Sequence, residues 1–347
     1  MSPLGYYKRK KRDKPMRART YIYIVGMAAL TLQGCCKKSH PNTPDVERHA
    51  IGMAAQSVTR ALIEDIGDLS EFAVYGYKQG PNNGMVFTDQ RVTHNGNAWE
   101  YTPVKYWSEG TYSFTAYAPT TVTPQSGCTY THDANNRTLT IGLPYWQLIN
   151  GEETDIVVAT SQGAATTYLN TYGGQVALNF DHLYAQLVVK VVRSASFQNT
   201  YKLTSLTYQN APTADGTATY TLDYTTPANS AWSDVALSAA SKNAYSNADG
   251  EVINSNPEDT PTAKHLVVPF TGSDEIQVTV GYIVNDGLVQ TGTASTGIKQ
   301  LEAGKRYVLT LSLGSGAVIE PSLDIEQWIE VQDEQDIEVE EDDKHNW

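Results

Sequence analysis

The feature that most constrains this chain is a run at residues 110–119, Gly-Thr-Tyr-Ser-Phe-Thr-Ala-Tyr-Ala-Pro, in which the side chains alternate. A period of two is typical of a β-strand, whose successive side chains point to opposite faces of its sheet. One predicted face carries Tyr112, Phe114, Ala116 and Ala118, and the other carries Ser113, Thr115 and Tyr117. We therefore predict a strand here, in a sheet that is half-buried.

Runs with strand character recur along the chain. Residues 71–77 alternate in the same way, and further candidates lie at residues 138–143, 155–159, 176–180, 185–192, 201–208, 217–224, 265–269, 276–284, 288–294 and 306–313. Asn285-Asp286-Gly287 separates two of them and predicts a tight hairpin, with Gly287 supplying the positive φ. Only 18% of the residues are charged and 22 are Tyr, which favours strands joined by polar turns. The sequence predicts an all-β protein with little helix, for which residues 235–246 are the best window.

The 347 residues are enough for two domains of ordinary size. A polar stretch at residues 161–174 reads as a loop and ends in Gly173-Gly174, near the middle of the chain. We expect the boundary there, between β-sandwiches at residues 49–174 and 175–331. An acidic tail, residues 332–347, follows the second sandwich.

Charge is distributed unevenly. The formal net charge is −13, but eight of the 25 basic residues precede position 20, and twelve of the 38 acidic residues lie between Glu320 and Asp343. Without residues 1–34, 17 basic and 37 acidic residues remain, a net charge of −20. Because phosphate binding needs clustered cations, we expect no nucleic-acid partner.

The N-terminal region has the order of a secretory signal. A basic stretch at residues 8–19 precedes an apolar run at residues 21–32. That run is short for a hydrocarbon core of ~30 Å, so we predict a signal peptide at residues 1–34 and not a membrane span.

The end of this signal, Leu32-Gln33-Gly34-Cys35, resembles a bacterial lipobox with Gln33 in place of the usual small residue. We expect a lipid on the Cys35 thiol, which would hold the chain on the outer membrane through a polar tether at residues 35–48. The alternative is an ordinary signal cleaved nearby, with Cys35 incidental.

Residues for catalysis or metal binding do not cluster in the sequence. Nucleophile-elbow, zincin and P-loop motifs are absent, and the seven His residues are scattered. Cys36 and Cys128 lack metal-site spacing. A disulfide between them is possible in an oxidising compartment, but a neighbour of a lipid anchor is a poor structural link, so we expect both to be free thiols. We therefore expect no enzyme activity, no cofactor and no metal ion.

Four segments carry a resemblance to a known family. They are Ser-Val-Thr-Arg-Ala at residues 57–61 before the strand at 71–77, the segment 107–119 that includes the first alternating run, Leu-Asn-Phe-Asp-His-Leu-Tyr-Ala-Gln-Leu-Val-Val-Lys at 178–190, and residues 301–313 with the later Ile-Glu-Gln-Trp at 325–328. In their order and spacing they resemble the fimbrillin family, the type V pilins of Bacteroidales. His182 falls within the third motif, where we expect a structural hydrogen-bonding residue.

The resemblance implies two tandem transthyretin-like β-sandwiches, export as a lipoprotein, cleavage by an Arg-specific protease, and polymerisation with other fimbrial subunits by donor-strand exchange. A sandwich that lacks one strand exposes unpaired backbone groups and apolar pockets, which a strand from the next subunit can fill. The expected location is the outer membrane for the precursor and a cell-surface fimbrium for the mature chain. Adhesion to a host or bacterial surface receptor is the implied role.

The resemblance places the cleavage between Arg60 and Ala61. Residues 50–60 would fill the groove of the precursor, and the cut would release this strand together with the lipid tether. Arg48 is the competing site, but a cut there would free the lipid and leave the strand in its groove.

The C-terminal region contains the predicted donor strand. Leu323, Ile325, Ile329 and Val331 occupy alternate positions with Gln327 between them, so one face can present apolar side chains to successive pockets. The alternative is an ordinary final strand in the chain's own sheet. The acidic tail that follows leaves open whether the subunit belongs to the stalk or to the tip.

A second hypothesis is a surface lipoprotein that binds glycans. Six aromatic residues in or beside predicted loops would form its sugar platform: Trp99, Tyr101, Tyr106, Trp107, Tyr145 and Trp146. A glycan binder would keep its lipid and stay monomeric, whereas a pilin would lose residues up to Arg60 and polymerise.

Overall fold

The computed structural model describes residues 49–58, 69–122, 126–149, 153–196, 199–240, 242–260, 262–314 and 319–327. Most of these residues lie in strands, so the prediction of an all-β protein is confirmed. The first strands are β1 Gly52–Val58, β2 Glu71–Gln79, β3 Gly84–His94, β4 Trp99–Glu100, β5 Thr111–Ala118, β6 Thr129–Asp133, β7 Thr138–Pro144, β8 Trp146–Leu148 and β9 Val157–Ala164. The helix α1, Ala165–Tyr172, follows β9.

The second part of the chain begins with β10 Gln175–His182, β11 Ala185–Arg193, β12 Tyr201–Gln209, β13 Ala211–Pro212, β14 Thr217–Asp223, β15 Ala231–Trp232, β16 Leu237–Ser238 and β17 Lys242–Ile253. The last strands are β18 Thr262–Val267, β19 Phe270–Thr271, β20 Gln277–Val284, β21 Val289–Ser295, β22 Gln300–Leu301, β23 Lys305–Leu313 and β24 Ile319–Gln327.

A seven-stranded sheet has the order β1-β10-β9-β5-β2-β3-β4. Its neighbours are antiparallel except β1 and β10, which run parallel. β1 also contacts β4, the strand at the opposite end, so the sheet must curve until its two ends meet. Its inner face surrounds a first core that includes Phe72, Phe87, Phe114 and Phe180.

The other face of this sheet packs against a four-stranded sheet, β15-β14-β7-β6. Tyr75 and Tyr117 of the seven-stranded sheet join Leu139 and Ile141 of β7 in a second core. β5 is therefore covered on both faces, and Thr115, on its predicted polar face, is fully buried. The prediction of a half-buried sheet at residues 110–119 is wrong because a second apolar layer covers that face.

Two further sheets face each other in the C-terminal part of the described chain, β24-β23-β11-β18-β8 and β17-β12-β20-β21. Leu187 and Leu309 of the first and Leu206 and Val280 of the second line the same second core. β11 runs parallel to β23 and antiparallel to β18, and β24 pairs antiparallel with β23. β24 and β8 are thus the two edges of the five-stranded sheet.

Strand pairing crosses the predicted boundary after residue 174. β10 follows that boundary but belongs to the seven-stranded sheet, between β1 and β9. β14 pairs with β7, and β8 pairs with β18, so each part of the chain supplies a strand to a sheet of the other. The division into tandem transthyretin-like sandwiches at residues 49–174 and 175–331 stays a prediction.

The helix lies where we predict a loop. Ala165 and Tyr168 are buried, and Gly173 ends α1 in the left-handed conformation with a φ of 62°. The predicted helical window, residues 235–246, instead contains β16 and the start of β17. That prediction is wrong because β17 pairs along β12, and a distant sheet partner overrides weak local propensity.

β20 and β21 form the hairpin that the sequence predicts. Its left-handed residues are Asn285 and Asp286, with φ values of 48° and 55°, and not Gly287. Asn and Asp tolerate this conformation, and the Asn285 side chain accepts a hydrogen bond of 3.0 Å from the Thr200 N–H. The position of the hairpin is as predicted, and the source of its positive φ is corrected.

Candidate strand-exchange site

The candidate site is the edge of the seven-stranded sheet where residues 49–58 lie on β10. Ile51 and Met53 are buried in the first core, with exposed fractions of 1% and 3%. Because they are two positions apart, both side chains point to the same face of the segment. The segment therefore supplies two apolar side chains to a core built mostly by later strands.

One edge of this segment pairs with β10. The register runs from Gly52 opposite Gln175 to Val58 opposite Phe180, with an irregularity after Ala55. The Gly52 N–H donates to the Gly174 carbonyl at 2.9 Å. A Cβ on residue 52 would stand 3.0 Å from the side chain of Gln175, so glycine allows the two strands to approach closely.

The other edge, at the start of the segment, is held by residues 101–107. The Ile51 N–H donates to the Lys105 carbonyl at 2.8 Å, and the Trp107 N–H donates to the His49 carbonyl at 2.9 Å. The Tyr101 hydroxyl donates to the Ile51 carbonyl at 2.6 Å. Burial raises the pKa of Tyr101, so the hydroxyl keeps its proton and remains a donor. Residues 49–51 are therefore fixed before β1 begins.

Trp107 and Gly174 bring the starts of β1 and β10 together. The Trp107 indole N–H donates to the Gly174 carbonyl at 3.0 Å, and the indole stacks on Tyr168 of α1 with ring centroids 4.8 Å apart. Gly174 has a φ of 84°, a conformation that favours glycine. Gly173-Gly174, the pair that predicts a domain boundary, thus ends α1 and turns the chain into β10.

Loss of residues 49–58 would leave two unsatisfied surfaces. β10 would lose the backbone partners along one edge, and the first core would lose the side chains of Ile51 and Met53. Exposed strand edges beside apolar pockets bind an added strand. Residues 49–58 therefore cover a sheet edge and apolar pockets of the kind that bind an added strand.

Several predicted site residues lie outside the part of the chain that the structure describes. They are the lipid-bearing Cys35, the cleavage-site residues Arg60 and Ala61, the competing site Arg48, and the donor-strand residues Ile329 and Val331. These assignments stay predictions. Across the described ranges, none of the helices is long and apolar enough to cross a bilayer.

The predicted donor residues that are described lie on β24. This strand pairs with β23 along its whole length, from Ile319 opposite Leu313 to Gln327 opposite Lys305. Leu323 packs against the second core and is partly buried, whereas Ile325 is 56% exposed. In this single chain β24 is a strand of its own sheet, and its donation to another subunit stays a prediction.

His182 is a buried hydrogen-bonding residue. Its Nδ1 lies 2.8 Å from a carboxylate oxygen of Asp155, and both side chains are almost fully buried. Asp155 lies two residues before β9, and His182 ends β10, so the pair ties the start of β9 to the end of the neighbouring β10. Sequence reasoning does not identify Asp155, because a single acidic residue 27 positions away carries no local signal.

The aromatic residues of the glycan hypothesis do not form an exposed platform. Trp107, Tyr145 and Trp146 are buried, whereas Tyr106 is 48% exposed. The Trp146 indole N–H donates to the Pro212 carbonyl at 2.9 Å, as is usual for an indole within a protein interior. Trp99 and Tyr101 are partly buried and pack against the first core, so five of the six are packing residues.

Nucleophilic and metal-ligating side chains are dispersed in the described part of the chain. No group of three or more His, Cys, Asp or Glu side chains there could hold a metal ion. Cys128 is a buried free thiol, and burial raises its pKa. A raised pKa keeps the thiol protonated and poorly nucleophilic.

Comparison with solved structures finds fimbrial proteins among the matches. A fimbrial protein from Bacteroides vulgatus matches with a TM-score of 0.58 and 15% identity, over 80% of this chain and 99% of that chain. A C-terminally truncated tip fimbrial protein from Porphyromonas gingivalis matches with a TM-score of 0.43 and 9% identity, over 80% of this chain and 100% of that chain. The search of curated proteins finds no match.

A family profile gives the assignment. The profile described as fimbrillin-like matches residues 59–328, which is more than half of the chain. The matched region begins just after β1 and extends to the end of β24. It therefore contains β10 and residues 101–107, which hold the two edges of the segment 49–58. The chain belongs to the fimbrillin-like family.

Proposed function

We propose that this chain is the precursor of a structural subunit of a cell-surface fimbrium that serves adhesion. Family membership and the fold shared with a fimbrial protein support the proposal. The observation that carries it is the position of residues 49–58, which complete one edge of a sheet and place Ile51 and Met53 in its core. The partners would be other fimbrial subunits.

In the proposed maturation, the chain is exported as a lipoprotein through Cys35 and is then cut between Arg60 and Ala61. β1 ends at Val58 and β2 begins at Glu71. A cut after Arg60 would therefore separate β1 from the rest of the protein without dividing a described strand. A cut at Arg48 would leave β1 joined to the chain, which is the physical reason to prefer Arg60.

The incoming donor strand must replace two apolar side chains two positions apart. The C-terminal region offers this spacing twice, as Leu323 with Ile325 and as Ile329 with Val331. The first pair lies on β24, so its donation requires β24 to leave β23. The second pair follows the described part of β24 and can be donated while β24 stays paired. We favour Ile329 and Val331 on this ground.

The assembly experiment uses the purified precursor and an Arg-specific protease. Treatment should create a new N-terminus at Ala61, read by N-terminal sequencing, and a ladder of polymers in size-exclusion chromatography. The untreated precursor should stay monomeric. Arg60→Ala should block both changes, whereas Arg48→Ala should block neither. A chain that is cut after Arg60 and remains monomeric would contradict strand exchange.

The donor is tested by substitutions at the two candidate pairs. Ile329→Asp with Val331→Asp should stop the cut chain from donating, while its groove still accepts a strand from an unaltered subunit. Mixed with unaltered subunits, this variant should therefore cap polymers and shorten the ladder. Ser322→Asp, at an exposed position of β24, is the matched control and should polymerise normally. If the double variant alone gave the same ladder of polymers as the unaltered chain, Ile329 and Val331 would not be the donor residues.

A further inference from the structure

We propose that a cleft between the seven-stranded sheet and the sheet β15-β14-β7-β6 binds one sugar ring of a neutral glycan. The cleft is bordered by Val158 and Asp181 on one side and by Tyr220, Ser230 and Trp232 on the other. The inference rests on the adhesive role proposed above and names the class of ligand that this role would use. The residues that line the cleft all lie in the described ranges, and none of them belongs to β1 or β24.

Strand register brings the two walls of the cleft together. Asp181 is opposite Val158 where β10 pairs with β9, so both side chains lie on one face of the seven-stranded sheet. Val158 belongs to the second core. Tyr220 of β14 is opposite Trp232 of β15, and both pack against the same core from the four-stranded sheet. Because β15 is the end strand of that sheet, the cleft lies at the rim of the packed layer.

The cleft has the size of a single sugar ring. Its volume is about 200 Å³. This equals the space of about seven water molecules at ~30 Å³ each, whereas pockets for drug-sized ligands have ~300 to 1,000 Å³. One six-membered sugar ring with its hydroxyl groups therefore fits, and the rest of a longer glycan would extend into the solvent.

An aromatic wall suits the apolar face of a sugar ring. The ring centroids of Tyr220 and Trp232 are 5.0 Å apart, and the ring planes are inclined by 45°. Both side chains are only partly buried, and Leu183 and Leu222 add apolar surface at the base. The C–H groups on one face of a sugar can pack on such a surface. Because the two rings contact each other, they form one wall and do not enclose a space for an organic cation.

Polar groups stand beside this wall. The Ser230 hydroxyl accepts a hydrogen bond of 3.1 Å from the Asp223 N–H, which holds it in place. Burial raises the pKa of Tyr220; a hydrogen bond with Ser230 opposes this rise, and the Asp181 carboxylate adds to it. Both groups therefore lie close to the Tyr220 hydroxyl. A carboxylate accepts several hydrogen bonds and hydroxyls both donate and accept, which is the combination that sugar hydroxyls require.

The charge of the cleft favours an uncharged ligand. Its lining, which lies wholly in the described ranges, includes Asp181 but neither Lys nor Arg. An acidic sugar or a phosphate would bring its negative charge near that carboxylate without a compensating cation. We therefore expect a neutral sugar.

The experiment is saturation-transfer difference NMR on the purified, uncut precursor. The neutral probes are the methyl glycosides of mannose, galactose and N-acetylglucosamine at millimolar concentration, and the charged probes are N-acetylneuraminic acid and tetramethylammonium. At least one neutral glycoside should give a difference signal that saturates with its concentration, and neither charged probe should do so. The proposal is overturned if no neutral glycoside binds, or if a charged probe binds as well as the best neutral one.

Conservative variants test whether the binding occurs in the cleft. Asp181→Asn should weaken it about tenfold, because hydrogen bonds to a charged acceptor are stronger than those to a neutral one. Trp232→Leu should weaken it about tenfold or more, whereas Trp232→Phe retains an aromatic face and should retain most of the affinity. Asp234→Asn, at an exposed position just after β15, is the matched control for charge and should change nothing.

Unchanged binding in both Asp181→Asn and Trp232→Leu would overturn the proposal. So would loss of binding in Tyr106→Leu, since it would assign the sugar to that exposed ring outside the cleft. The assembly test with the Arg-specific protease has a separate readout. If sugar binding fails, the ladder of polymers still reports strand exchange; if polymerisation fails, binding to the uncut precursor still reports the cleft.

Discussion

The Tyr101 hydroxyl donates a hydrogen bond of 2.6 Å to the Ile51 carbonyl, across 50 positions of sequence. The bond joins the loop between β4 and β5 to the segment that leads into β1. It lies on the opposite edge from β10, so the segment is held from two sides. Because the same hydroxyl also accepts a bond of 3.3 Å from the Lys105 N–H, one side chain fixes both the loop and the strand.

Removing this hydroxyl should loosen the N-terminal segment. Tyr101→Phe keeps the ring and should lower the free energy of unfolding by about 1 kcal/mol, the usual net value of one hydrogen bond. Amide hydrogen exchange at residues 49–58 should become faster than in the unaltered chain. Tyr106→Phe is the matched control at an exposed ring and should change neither quantity. Unchanged exchange in Tyr101→Phe would contradict the assigned role.

Truncating a buried side chain of residues 49–58 should lower the free energy of unfolding more than removing the Tyr101 hydroxyl does. Met53→Ala should lower the free energy of unfolding by about 2 to 5 kcal/mol, because it removes apolar contacts and leaves a cavity in the first core. Chemical denaturation of the precursor measures this change. Val104→Ala, at a half-exposed position, should remain within about 0.5 kcal/mol of the unaltered chain. Equal effects of the two substitutions would show that Met53 is not packed as described.

The buried pair of His182 and Asp155 gives a third prediction. His182→Leu removes the partner at 2.8 Å and leaves the Asp155 carboxyl in the interior, which should cost about 3 to 5 kcal/mol of stability. Adding Asp155→Asn to His182→Leu should recover part of that loss, since a carboxamide costs less to bury without its partner than a carboxyl group. The four chains of this double-mutant cycle, compared by denaturant unfolding, give the coupling energy. Simple additivity of the two substitutions would rule out the pairing.

The pH dependence of the free energy of unfolding should reflect the titration of His265. Burial, helped by the nearby Lys242 ammonium, lowers the pKa of His265 from 6.5 to about 4. Between these pH values the unfolded chain binds the proton and the folded chain does not, so the free energy of unfolding should decrease as the pH falls. The expected loss is roughly 3 kcal/mol between pH 6.5 and 4.

Unfolding measured across this pH range tests the assignment to His265. His265→Gln removes the titrating group and should flatten the dependence, whatever its effect on stability at neutral pH. His94→Gln, at an exposed position, should keep the slope of the unaltered chain. If the pH dependence persisted in His265→Gln, it would have to come from other titrating groups.

The sequence by itself determined the elements whose signal is local. The alternation at residues 71–77 lies within β2, the alternating run at 110–119 contains β5, and the Asn-Asp-Gly turn joins β20 to β21. Such patterns are readable because a strand repeats every two residues and a tight turn depends on a few adjacent ones. The resemblance to the fimbrillin family, which the profile match bears out, likewise rests on short local motifs.

Only the tertiary structure decided which strands meet. β1 runs parallel to β10 and contacts β4, β5 is covered on both faces, and residues 235–246 join a sheet instead of forming a helix. The partners of Ile51, which are Lys105 and the Tyr101 hydroxyl, are likewise set by the path of the chain. Alternation places a side chain on one face of a strand, but sheet order and long-range packing determine what covers that face. The completion of this sheet edge by residues 49–58 is therefore a property of the folded chain.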